Sequence, residues 1–87
     1  MTDQQQTLNE QRRRYAHDNR VRAARMRGIL EASYYSDEGY EVALTDLLSD
    51  IRHFCDARKL HLDEIDASAA AHHAAEVKQA LTGEEQC

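Results

Sequence analysis

The chain has no proline and no tryptophan, and only three glycines, one phenylalanine and two cysteines among its 87 residues. Without proline and with few glycines, the composition disfavours sheets and sandwiches, which usually need more turn residues, whereas helices tolerate it. No run of about 18 apolar residues occurs, so no membrane-crossing helix is predicted and no membrane partner is expected. Two cysteines cannot build a disulfide framework. Cys55 falls on an apolar stripe, where a thiol behaves as a small hydrophobe, and Cys87 lies in a polar tail. The opening MTDQQQTLNEQRRR lacks the apolar core of a secretory signal, which predicts a cytoplasmic protein with reduced thiols. So few large apolar side chains leave one small domain a narrow stability margin, which a homodimer or another partner would widen.

What is present is helical periodicity. Between Tyr40 and Cys55 the apolar residues fall at Tyr40, Ala43, Leu44, Leu47, Leu48, Ile51, Phe54 and Cys55, steps of three and four that trace one helix face. This predicts a helix over about 37–58, with Ser36 as N-cap, Asp37 and Glu38 at its positive end, and Arg58 and Lys59 at its negative end. A first helix is predicted over about 7–33, opened by a Thr7–Glu10 capping box and supported by Val21, Ala24, Met26, Ile29 and Leu30. Its first half has little to bury besides Tyr15. Residues 1–6 are therefore expected to be disordered, and the turns up to Arg20 frayed or held by a partner. A third, alanine-rich helix over about 63–81 starts at Asp63, carries Ile65, Val77 and Leu81, and stops at Gly83, leaving 84–87 as a disordered tail. The expected fold is all-α: a single domain of three helices, dominated by an antiparallel hairpin of the second and third, with the first lying across it. A dimeric bundle would extend that arrangement.

Charge is distributed unevenly. Residues 1–30 carry seven arginines and three acids, whereas residues 31–87 carry four Lys/Arg and thirteen acids, which together give the net charge of −5. The arginines are Arg12, Arg13, Arg14, Arg20, Arg22, Arg25 and Arg27, and the guanidinium fork suits carboxylates and phosphates alike. A basic first helix of this kind would contact an acidic protein surface or a nucleic acid; a solvated face paired with the chain's own acids would carry the same residues. Overall acidity opposes nonspecific nucleic-acid binding, and no helix-turn-helix, zinc-finger or ribonucleoprotein signature is present. Conversely, Asp46, Asp50, Asp56, Asp63, Glu64, Asp66 and Glu76 could imitate a phosphate backbone, as some phage-encoded inhibitors do.

Chemistry-bearing patterns are sparse. Asp46, Asp50 and His53 are spaced four and three apart on one stripe, and with His72 from the third helix they are the candidate cation ligands. A polar stripe with a local Asp50–His53 pair explains the same spacing. The adjacent His72 and His73 point about 100° apart on a helix and cannot both chelate one ion comfortably. There is no paired cysteine spacing for zinc, no nucleophile elbow and no phosphate-cradling glycine loop, so neither an enzyme nor a cofactor is expected.

Two resemblances complete the reading. The stretch LTDLLSDIRHFCDARKLHLDEIDASAAAHHAAE, Leu44 to Glu76, resembles one half of many short helical proteins of phages and mobile elements, in which an L-x-D-L-L-x-D-(I/L)-x-H helix precedes a helix carrying histidine. That resemblance implies a mobile-element origin and no particular chemistry. The same helix pair is similar to the back half of MazG-like all-α nucleoside triphosphate pyrophosphatases, with Asp46 matching a metal-binding aspartate and Leu62-Asp63-Glu64-Ile65 matching a helix start. The matching glutamate position is Ala43 here, and the preceding helix offers no E-x-x-E pair, so the magnesium site of that chemistry is not matched. The expected role is that of a small non-enzymatic protein-binding module. It would be an inhibitor or regulator of the anti-defence or anti-CRISPR type, binding a host or phage protein through Arg12, Arg13, Arg14, Arg20 and Arg22 and through Asp46 and Asp50. A nucleic-acid-binding accessory protein and a degenerate MazG-like pyrophosphatase are the alternatives.

Overall fold

A computed structural model describes residues 3–34 and 37–84. They form three helices, α1 (Asp3–Ser33), α2 (Tyr40–Arg58) and α3 (Leu62–Thr82), with no strand among the described residues. The all-α class follows from the composition as expected. The helix ends show which local signals prevailed.

Helix α1 begins four residues earlier than the capping box predicts. Thr7 lies inside the helix, and its hydroxyl donates to the Asp3 carbonyl at 3.0 Å, the back-bond of a helix interior rather than an N-cap. Residues 3–6 are thus helical, with Asp3 in the first turn, where a carboxylate suits the helix dipole. The predicted Ser36 cap lies outside the described residues. The residue that precedes α2 is Gly39, at φ 102°, a conformation that side chains other than hydrogen resist.

The other end of α2 closes as a Schellman motif. Lys59 adopts the left-handed conformation (φ 57°), its N–H reaching the Asp56 carbonyl at 3.3 Å, and the Leu60 N–H reaches the Cys55 carbonyl at 2.9 Å. Helix α3 starts at Leu62 behind an extended His61, with Asp63 and Glu64 in its first turn. It ends as predicted at Gly83, whose φ of 78° lets its N–H bond the Gln79 carbonyl at 2.8 Å.

The helices do not pair as expected. The main packing partner of α3 is α1, whereas α2 makes a smaller contact with α1 and little with α3. The two long helices run antiparallel: Leu8 lies beside Gly83, and Asn19 and Arg22 lie beside Glu76. On α1, the half-covered residues Leu8, Gln11, Tyr15 and Asn19 step by three or four, and on α3 Ala75, Glu76, Gln79, Ala80 and Gly83 do the same. The half of α1 expected to fray is therefore its best-packed half, held by the chain's own C-terminal helix. The contact depends on small side chains and polar groups that let two backbones approach, so a hydropathy pattern does not display it. A Cβ at Gly83 would collide with the Leu8 carbonyl oxygen and lie 3.3 Å from Arg12 Cγ.

The molecule is open. Its radius of gyration is 17.0 Å, against about 12 Å for a compact chain of this length. The buried apolar residues are Leu30, Ala43 and Cys55. On α2 the row Ala43–Leu47–Ile51–Cys55 is buried or half-buried, whereas the adjacent row Tyr40–Leu44–Leu48 is exposed, with Leu48 at 52% and Phe54 beyond it at 57%. The helix with the strongest apolar face thus leaves half of that face uncovered. No helix is long and apolar enough to cross a membrane among the described residues.

Candidate partner-binding surface

The arginines of α1 divide into those the fold uses and those it leaves free. Arg22 Nε pairs with Glu76 of α3 at 2.9 Å, Arg22 also donates to Asn19 Oδ1 at 2.7 Å, and Asn19 Nδ2 donates to the Glu76 carbonyl at 3.1 Å. This closed polar network ties α1 to α3 and engages Arg22 within the fold. Arg27 is likewise engaged: its Nε lies 3.1 Å from Glu31 Oε1, which also accepts the Tyr40 hydroxyl at 2.7 Å. That second network spans the α1–α2 connection.

Among the described residues, Arg12, Arg13, Arg14, Arg20 and Arg25 make no ion pair. All five are exposed. Arg13 and Arg20 are seven residues apart and share one side of α1 with His17; Arg14 and Arg25, eleven apart, share another. Arg12 differs, because its methylene stem lies beside Gly83 at the α1–α3 contact. The free cations therefore wrap the solvent side of α1 along two stripes, while the third side packs on α3.

The acidic candidates lie elsewhere. Asp46 and Asp50 are exposed on α2, one turn apart. Hydrogen bonding to Asp50, then desolvation and the negative charges of Asp50 and Asp46, hold the Tyr34 phenol proton more tightly than usual. His53 is exposed on α2, and His72 is exposed on α3. No group of three or more His, Cys, Asp or Glu among the described residues could hold a metal ion, so Asp46, Asp50, His53 and His72 do not assemble into the cation site considered from their spacing. The local Asp50–His53 ion pair does not form either.

The α1–α2 latch carries its own pH signature. The Tyr40 hydroxyl and then the Arg27 guanidinium hold the Glu31 carboxyl below its ordinary value, and the Glu31 hydrogen bond pushes the Tyr40 phenol above its own. For Glu31 the folded pKa is depressed, so its contribution is present above the unfolded value and fades as pH falls through the folded one. For Tyr40 the folded pKa is raised, so its contribution is present below the unfolded value and fades as pH rises through the folded one. Tyr40→Phe is expected to flatten both flanks of the stability-versus-pH curve, checked by urea midpoints across acidic and alkaline pH. Unchanged flanks would show that the latch does not couple to folding.

One apolar feature is not legible in the sequence, where Leu44, Leu48 and Phe54 belong to a single apolar helix face. Leu48, Ile51, Leu62, Ile65 and Ala69 line an open groove of about 610 Å³ between α2 and the start of α3, with Arg52, Asp63 and Asp66 also in its lining. The signal for it, apolar periodicity, was present; what covers the face is not written in periodicity.

The fold and these surfaces define an open all-α, three-helix protein with a cationic helix and an uncovered apolar groove. No protein-family model matches this chain, and neither does any curated protein or solved structure.

Proposed function

We propose that the protein is a small non-enzymatic binding module that acts on an acidic surface of another protein, in the manner of the inhibitors and regulators that phages and mobile elements encode. The observation that carries this reading is the set of α1 arginines left without an acidic partner among the described residues, in a chain with thirteen acids beyond residue 30. A guanidinium that the fold does not use is available for bidentate pairing with carboxylates. The net charge of −5 favours a protein over a nucleic acid, because the long-range field of the rest of the chain repels a polyanion while a local carboxylate cluster can still be gripped. Arg12, Arg13, Arg14, Arg20 and Arg25 are the binding residues in this reading, and Arg22 is withdrawn from it. Asp46 and Asp50 form a separate acidic flank on α2 for a basic feature of the same partner.

The test is affinity capture from nuclease-treated host lysate by the wild-type chain and by two variants that leave the α1–α3 contact alone, Arg13→Ala/Arg20→Ala and Arg14→Ala/Arg25→Ala. One defined protein is expected to bind the wild type. A charge-assisted hydrogen bond at an interface is worth about 1.5–3 kcal/mol, so whichever stripe makes the contact should lose at least about tenfold in affinity on substitution. Unchanged helicity in both variants would assign the loss to the surface. Capture of nuclease-sensitive material only, with a steep salt dependence, would replace this reading with nucleic-acid binding.

A further inference from the structure

We propose that a second copy of this chain covers the α2–α3 groove, so that the protein is an obligate two-fold dimer. This inference does not depend on the arginine reading, since the groove and the α1 arginines lie on different parts of the molecule.

The isolated chain exposes 7210 Å², against about 5200 Å² for a compact monomer of its mass. The difference, about 2000 Å², exceeds the roughly 800 Å² per partner of a standard interface and falls in the range of obligate homodimers. Exposed apolar residues lie at and beside the groove: Leu48 of α2 and Ile65 of α3 line it, and Tyr40 and Leu44 continue the Leu48 row along α2.

Among the described residues Leu30, Ala43 and Cys55 are the buried apolar ones, and no side chain is fully enclosed. A monomer with so little buried area has almost nothing to set against its conformational entropy. The covering surface must therefore be present whenever the chain folds, and another copy of the same chain always is.

The lining of the groove carries both signs, Arg52 from α2 and Asp63 and Asp66 from the first turns of α3. A two-fold axis brings residue i of one copy to residue j of the other and j to i. Arg52 of each copy can then meet Asp63 and Asp66 of the other, and both signs are neutralised at once. A partner of one predominant charge would satisfy one sign and be opposed by the other.

The test is sedimentation equilibrium and a thermal-melt series across protein concentration. The wild type is expected to run as a dimer, with a melting temperature that rises with concentration. Leu48→Glu is expected to abolish the dimer. Because that variant can also fail to fold, a charge-exchange pair isolates the interface. Arg52→Asp alone and Asp63→Arg/Asp66→Arg alone should each dimerise at least about tenfold more weakly than wild type, and mixing the two should restore a dimer containing one of each. A helical wild-type chain that remains monomeric, with a concentration-independent melt, overturns the proposal. So does a dimer indifferent to both charge variants and to their mixing, since it would use another face.

Discussion

Gly83→Ala is expected to release the C-terminal end of α3 from α1 and to cause one of the largest stability losses of any single substitution in this chain. Two costs combine. Residue 83 sits at φ 78°, a region where a side chain costs about 1–3 kcal/mol. The added Cβ would also collide with the Leu8 backbone, which cannot step aside as the tip of a side chain can. The helices must then separate at their closest approach, and the covered row Leu8, Gln11 and Tyr15 would be exposed. Urea denaturation should show a loss of at least about 2 kcal/mol, with the amides of residues 8–19 losing protection from exchange first. A variant with wild-type stability would mean that the α1–α3 approach is looser than described.

Leu30→Ala is the second. Leu30, 5% exposed, is the one large aliphatic side chain among the buried residues, and it lies where α1 approaches its connection to α2. Truncating a buried leucine costs about 2–5 kcal/mol, the lower values applying where the surroundings can collapse into the gap. In so open a structure a loss of about 2–3 kcal/mol is expected, a large share of the roughly 4–13 kcal/mol available to a domain of this size. The loss should appear in the denaturation midpoint, and α2 should become the most protease-sensitive helix. A loss below about 1 kcal/mol would place the stabilising contacts of α1 elsewhere.

These two residues also mark what could be read in advance. Gly83 was legible as a helix stop, because a glycine after an amphipathic stretch signals a left-handed cap. Its second role, admitting the Leu8 backbone, was not, because that depends on a residue 75 positions away. The stripe from Tyr40 to Cys55 gave the type of α2 and its C-terminal end correctly. It did not give the exposure of Leu44 and Leu48, since periodicity identifies the face that prefers burial and not the surface that buries it. The first half of α1 looked weak because its contacts with α3 run through Gln11, Asn19, Gln79 and alanines, which hydropathy counts as nothing. Arg22 looked like its six neighbours. Only the fold, by placing Glu76 at 2.9 Å, separates it from Arg20 and Arg25.

The antiparallel course of α1 and α3 also determines how the chain responds to force. Leu8 and Gly83 are neighbours at one end of the pair, while Asn19 and Glu76 lie further along it. Tension applied between the start of α1 and the end of α3 therefore acts across the seam rather than along it. The seam opens like a zip, from the Gly83 contact back to the Arg22–Glu76 pair, each contact bearing the load alone before the next. Such tension would meet its first resistance where the Gly83 backbone rests against Leu8.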